Sequence, residues 1–246
     1  MAHDITTRHV VVLAPMPLEM DAIVTAFGLS AASSEPGAPW TGRLGESNVT
    51  AIHIGMRPPL TRAATTRLLD RAAPGHVPVD HVMIAGICGG LAPDLEVGTV
   101  INPEIVVEHA SGSAYRHVPP GNEPRAGKLI TTEGVFLDRD QSLRFFDEGY
   151  IGVDMESSAV AEVCEAHGCA WSVYRCIGDR HFDGLLDERV VELANPDGSG
   201  NPDKLLEMMA ADPEFRARLE RLSHDSALAA RRAAEAAVRG CLALDA

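Results

Sequence analysis

The sequence predicts a three-layer α/β fold, one domain over residues 1–246 with helices on both faces of a sheet. Two observations predict it. Short β-branched or apolar runs alternate with longer amphipathic stretches, and the junctions carry the prolines and glycines that start and stop helices.

The first run, His9 to Leu13, ends at Ala14-Pro15. Pro17 then opens an amphipathic stretch, Leu18 to Phe27, which Gly28 closes: proline in the first turn and glycine just past the end mark a helix after a strand. Residues 30–45 are turn-rich, and Val49 to Ile54 reads as a second strand. A helix over about 60–73 stops at Pro74-Gly75. His81 to Ala85 is an apolar run that enters a predicted glycine-rich turn, Gly86-Ile87-Cys88-Gly89-Gly90. Residues 97–107 alternate as a strand does, and residues 111–127, with three prolines and three glycines, read as a surface loop. Lys128 to Thr132 and Gly152 to Asp154 look like strand ends. Glu156 to His167 places Ala159, Val160 and Val163 on one helix face, with Gly168 as its C-cap. Trp171 to Ile177 is the central-strand candidate. Beyond the turn at residues 197–200 the chain is helical, in an extended region of about 203–244.

Composition narrows the function. A hydrophobic content of 46% with 23% charged residues is that of a globular protein and argues against disorder. The 35 acidic against 21 basic residues give a net charge of -14, a field that repels nucleic acid and anionic membranes and leaves small molecules or proteins as partners. No apolar run approaches the roughly 20 residues of a membrane span. The N-terminus has no charged segment followed by a long apolar one, so a cytoplasmic location is expected. Five cysteines without framework spacing read as reduced thiols. Neither Cys-x-x-Cys nor His-Glu-x-x-His occurs, so neither a metal nor a cofactor is expected.

Five residues or segments carry possible chemistry, most with a plainer alternative. The glycines at 86–90 let a ligand approach the backbone or simply make a turn. Glu156, where a strand end meets a helix start, can accept from sugar hydroxyls or serve as a helix N-terminal acid. Asp179, beyond the carboxyl end of the best strand, stands where ligand crevices form or caps a loop. Arg175, inside that strand, requires a carboxylate or ligand partner. Glu19 alone reads as a solvent-facing helix acid. Gly-x-Ser-x-Gly is absent, which argues against an acyl-transfer triad.

Together, and in this order, the pieces resemble the purine nucleoside phosphorylase/methylthioadenosine–S-adenosylhomocysteine nucleosidase superfamily. Four segments carry the likeness: VVLAPMPLEM at 11–20, GICGGLAPDLEVGTV at 86–100, VDMESSAVA at 153–161 and RCIGD at 175–179. The resemblance implies a central mixed, twisted sheet and cleavage of a purine N-glycosidic bond. It implies that Asp179 protonates purine N7, that Glu156 holds the ribose 2′ and 3′ hydroxyls with Met155 against the sugar, and that Glu19 activates water. Arg175 would order this region, Phe136 would stack on the base, Leu137 would offer main-chain groups to the purine edge, and Cys88 and Gly89 would flank ribose and base.

Departures from the family pattern bear on the nucleophile. Bacterial purine phosphorylases carry arginines and a serine where this chain has Ala14-Pro15-Met16-Pro17-Leu18-Glu19, Ile84 and Ile87. Placing Glu19 near a phosphate would add repulsion, so hydrolysis is expected; Arg57 keeps phosphorolysis as the alternative. Nucleosidases usually carry serine where Ile87 and Gly178 stand, which leaves a catalytically inactive nucleoside-binding protein as a third reading. Residues 181–226 form a longer tail than methylthioadenosine nucleosidases have, and it resembles hopanoid-associated phosphorylase-like branches. The resemblance also implies a homodimer.

Overall fold

The computed structural model describes residues 7–73, 75–135, 138–193, 195 and 198–245. Period-two alternation makes β1 (Arg8–Ala14) a strand buried on both faces: Val10, Val12 and Ala14 pack one way, Val11 and Leu13 the other. α1 (Pro17–Phe27) follows, closed by Gly28 in the left-handed region at φ 65°. The expected turn-rich segment holds two strands instead, β2 (Ser30–Ala31) and β3 (Trp40–Leu44), before β4 (Ser47–His53) and α2 (Pro58–Leu69). Next come β5 (His81–Gly90), β6 (Val100–Ile101), β7 (Ile105–Glu108), β8 (Ala114–Arg116) and β9 (Lys128–Thr131). The single strand expected over 97–107 is thus two, interrupted at Pro103, which has no N–H to give a ladder. β8 likewise lies inside the expected loop at 111–127. α3 (Arg139–Asp147), which the sequence reading did not predict, precedes β10 (Tyr150–Asp154), α4 (Ser157–His167) and β11 (Ala170–Arg180). A 3-10 turn (His181–Asp183), α5 (Glu188–Val191), α6 (Pro202–Ala211) and α7 (Pro213–Ala243) complete the chain.

The strands form one mixed sheet in the order β2-β3-β4-β1-β5-β10-β9-β7-β8, with β11 beside β5 and β6 beyond it. Helices cover both faces. α2 and α4 pack on Val11, Leu13, Val82, Ile84, Val173 and Ile177. α1 and α7 pack on Val10, Val12, Met83, Ala85 and Tyr174. The three-layer arrangement expected from the sequence is therefore present. α7 approaches closely because its inward face is Ala233, Ala234, Ala237 and Gly240; a Cβ on Gly240 would overlap the Tyr174 ring. No helix among the described residues is long and apolar enough to cross a membrane.

The register of β5 positions the site. β11 runs parallel along one whole edge of β5, from Ala170 opposite His81 to Arg180 opposite Gly90. The other edge is shared. β1 pairs with it in parallel only as far as Leu13 opposite Ile84. β10 arrives antiparallel at the far end, with Val153 opposite Gly89 and Gly152 opposite Gly90. Between them, at residues 85–88, that edge has no strand. Such an opening between strands is where α/β sheets hold ligands.

The expected turn at Gly86–Gly90 is a correction: β5 continues through it. Its glycines serve close approach rather than chain reversal. A Cβ on Gly86 would overlap the Glu19 carboxylate, and one on Gly90 would lie 3.0 Å from Ile177 Cγ2.

Candidate active site

Glu19 reaches the opening from α1, one turn after β1 ends. Its Oε2 accepts from the Met16 N–H at 2.8 Å, and its Oε1 accepts from the Ile87 N–H at 2.6 Å. The Ile87 N–H faces the strandless edge of β5, so a side chain satisfies a backbone donor that no strand reaches. Glu19 is therefore 1% exposed, and the solvent-facing alternative does not hold. Amphipathicity alone gave no sign of this, because the opening exists only in the assembled sheet.

Arg175 approaches from β11 and is fully buried. Its Nε donates to Asp154 Oδ2 at 2.9 Å, its Nη2 to Glu156 Oε2 at 3.0 Å and its Nη1 to the Ile87 carbonyl at 3.2 Å. Glu19 Oε1 stands 3.7 Å from Nη1. One guanidinium thus faces three carboxylates. Asp154 was not among the sequence candidates. It also accepts from Thr131 Oγ1 at 2.6 Å and from the Ser157 hydroxyl, which ties β9, β10, α4 and β11 together. The strand-interior arginine was the signal that such a partner existed.

Glu156 lies just before α4 and is 5% exposed. Its second oxygen, Oε1, accepts from the Arg57 N–H at 2.9 Å. Arg57 is the only non-glycine with positive φ among the described residues, at φ 79°. Its N–H joins the site while its side chain stays exposed.

Asp179 follows a bulge at Gly178 that shifts the β11–β5 register. Its carboxylate lies over Gly89: a Cβ there would be 3.7 and 3.9 Å from its two oxygens. The side chain is half-buried.

Electrostatics separates these acids. Burial pushes the Glu19 carboxyl up to about 7, against the opposing pull of Arg175. Burial, helped by Asp183, raises Asp179 to about 7 as well. Burial also raises Glu156, with Arg175 opposing. Burial alone would lower Arg175, but Asp154, Glu156 and Glu19 outweigh it and hold the guanidinium above its ordinary value. Burial holds the Cys88 thiol well above the usual range, so it is no thiolate nucleophile.

One cavity of about 240 Å³ gathers these groups. Glu19, Asp154, Glu156 and Asp179 line it, with Cys88, Gly89 and Met155 between them. Its remaining wall is mostly apolar, from Met16, Met56, Leu186 and Leu222. Thus six of the sequence candidates share one cavity, and Arg175 stands directly behind it. Phe136 and Leu137 lie outside the described residues; Thr132, Gly134 and Val135 of the same segment line the cavity. No cluster of His, Cys, Asp and Glu among the described residues could hold a metal ion.

Residues 9–126 match the family model described as the phosphorylase superfamily. A 5′-methylthioadenosine/S-adenosylhomocysteine nucleosidase from Anoxybacillus flavithermus is 30% identical over 172 residues, 57% of this chain and 71% of the relative. The chain belongs to the phosphorylase superfamily, on its nucleosidase-like side. Solved structures agree on the fold of this superfamily member. A 5′-methylthioadenosine/S-adenosylhomocysteine nucleosidase from Colwellia psychrerythraea, in complex with adenine, superposes with a TM-score of 0.70 at 14% identity, covering 97% of this chain and 96% of that one. Futalosine hydrolase of Helicobacter pylori gives 0.66 at 14% identity, covering 97% of each chain.

Proposed function

We propose that this chain hydrolyses the N-glycosidic bond of a purine nucleoside, a 5′-substituted adenine nucleoside in particular, and releases the free base. The observation that carries this reading is the convergence of Glu19, Glu156 and Asp179, from distant parts of the chain, on one cavity. The relatives named as nucleosidases support the reaction class.

The chemistry follows from the charges. Departure of a purine leaves an electron-poor, oxocarbenium-like sugar, so the site needs an acid at the base and negative charge near the ribose. Asp179, kept protonated near neutrality by burial, gives its proton to purine N7 and turns a poor leaving group into a neutral base. Glu156 accepts from the ribose hydroxyls, with Met155 against the sugar. Glu19, ionised and held by two N–H donors, takes a proton from the attacking water. Arg175 keeps the carboxylates in place without entering the cavity, a positioning role.

Water is favoured over phosphate by the lining. Among the described residues around the cavity are four acids and no lysine or arginine. A phosphate dianion would meet repulsion from four carboxylates and no free guanidinium or ammonium in the lining, since Arg175 is already engaged by Asp154 and Glu156. Arg57, the residue that kept phosphorolysis open, contributes its backbone rather than its guanidinium. The protein acts as one domain, a cytoplasmic homodimer needing no cofactor; static light scattering that finds an active monomer would refute the dimer.

Purified protein incubated with a panel of 5′-substituted adenosines, with and without phosphate, tests the reading. Adenine and free sugar at equal rates in both arms are expected. Base release that requires phosphate and yields a 1-phosphorylated sugar would overturn hydrolysis. Ligand binding with no base release at any pH would overturn enzymatic activity altogether.

A further inference from the structure

Hydrolysis leaves an imbalance within the site. Each turnover takes a proton from Asp179 and gives one to Glu19, so Asp179 must be reprotonated before the next substrate. A nucleoside in the main cavity covers Asp179 on that side. A second cavity, of about 210 Å³, also has Asp179 in its wall. Arg139, Arg180, His181, Phe182, Leu185 and Leu186 line it together with Asp179. Asp179, His181 and Leu186 belong to both cavities, so they form the partition between them.

We propose that His181 supplies the proton to Asp179, carrying it from solvent in the second cavity to the carboxylate that protonates the base. This rests on the nucleosidase reading. His181 is two residues beyond Asp179, half-buried, and the one imidazole that lines both cavities among the described residues. Imidazole suits the task because it can accept at one nitrogen and donate from the other.

The step balances. A protonated imidazole N–H bond breaks and an O–H bond forms on the Asp179 carboxylate, which leaves neutral imidazole and neutral acid. The imidazole then takes a proton from water of the second cavity. Glu19 returns its proton to solvent, so no net proton is consumed.

The surroundings favour transfer in this direction. Burial lowers the His181 value, with Asp138 opposing and Arg139 assisting, whereas Asp179 is raised. The proton therefore moves from the weaker base to the stronger. The other charged groups beside this wall are Arg180, which pairs with Glu96 and Asp183, and Arg221, which also reaches Asp183. A guanidinium holds its proton too tightly to shuttle it as an imidazole can. Arg139, at the start of α3, lies 5.8 Å from the Phe182 ring.

The test compares wild type with His181→Ala and His181→Gln on a 5′-substituted adenosine that the wild type cleaves. Both variants are expected to lose tenfold or more in kcat, with KM within threefold, and to lose most at alkaline pH, where protons are scarce. Added imidazole is expected to restore His181→Ala severalfold by occupying the vacated space. Unchanged kcat in both variants would overturn the relay. So would a loss independent of pH and unrelieved by imidazole in proteins with wild-type thermal unfolding, since that is the mark of a packing role. Absence of wild-type base release on the whole panel would instead sink the nucleosidase reading itself.

Discussion

Arg175 Nη2 and Glu156 Oε2 meet at 3.0 Å, with the arginine wholly buried and the glutamate nearly so. The pair is only part of a larger imbalance. Asp154 and Glu19 face the same guanidinium, so one positive charge serves three buried acids. Burial pushes Glu19 and Glu156 toward their neutral forms, Arg175 opposes that push, and the repulsion among the acids adds to it.

The first prediction is a bell-shaped pH dependence of kcat/KM with its maximum near neutrality. Glu19 must be ionised, so activity falls as pH drops through about 7; Asp179 must be protonated, so activity falls as pH rises through about 7. With both groups near one value, the two limbs lie close together and the bell is narrow. Asp179→Asn should lower kcat by roughly 10²–10⁴-fold and flatten the alkaline limb, as a general acid's loss does. A variant with the full wild-type rate would remove Asp179 from the mechanism.

The same shift has a stability consequence. A carboxyl raised from 3.8 to about 7 favours the folded state fully only below the unfolded value, and that contribution disappears as pH climbs through 7. Asp179→Asn should therefore raise the thermal midpoint relative to wild type at pH 8 and leave it nearly unchanged at pH 4. Equal shifts at both pH values would show that burial does not disfavour the charged form.

Removing the buried cation should be far more damaging. Arg175→Met leaves Asp154, Glu156 and Glu19 uncompensated, and breaking a buried pair in this way costs about 3–5 kcal/mol. Adding Glu156→Gln to that background should recover part of the loss, because one stranded charge is gone. Denaturant midpoints of the single and double variants measure this. Recovery that fails to appear would mean that packing, not charge, dominates at Arg175.

The layers of the fold were legible because they follow from period and punctuation. Alternation on β1 and the Pro17 and Gly28 boundaries of α1 are local facts. The site was legible only in part. Glu156 and Asp179 stand at strand-to-helix or strand-to-loop boundaries, where acids draw notice. Glu19 does not: its burial depends on β5 leaving β1 after Ile84, a property of the sheet rather than of any window of sequence. The same reason turned the glycines at 86–90 into an expected turn. They are small because side chains from α1, β10 and β11 press on them, and those neighbours are distant in sequence. α3 escaped notice because just two of its residues, Ser142 and Phe145, are buried, too few to make an apolar stripe.

The two departures from the family pattern should prove coupled. A Cβ at Gly178 would overlap Ile87 Cγ2, so the isoleucine fills the space that a side chain at 178 would need. Gly178→Ala alone should cost about 1–3 kcal/mol as an overpacked substitution. In an Ile87→Ala background the same change should cost less, with a coupling of about 1 kcal/mol or more in a double-mutant cycle. Additive costs would mean that the two residues are accommodated independently.

Arg57 supplies the last prediction, from its backbone. At φ 79° and ψ 149° it occupies a region that essentially only glycine adopts freely, at a strain of about 1–3 kcal/mol. The strain has a visible return: it aims the Arg57 N–H at Glu156 Oε1, immediately before Pro58 opens α2. Glycine at this position keeps the N–H and removes the strain, but adds chain freedom to the unfolded state worth about 0.5–1 kcal/mol. Arg57→Gly should therefore stabilise the protein by about 1 kcal/mol in denaturant unfolding, with KM for a 5′-substituted adenosine within threefold of wild type. Arg57→Pro, which removes the donor and cannot reach positive φ, should lose both stability and substrate affinity. If glycine weakens substrate binding tenfold while stabilising the fold, the exposed guanidinium contacts the ligand after all, and the argument that no cation attends the nucleophile fails with it.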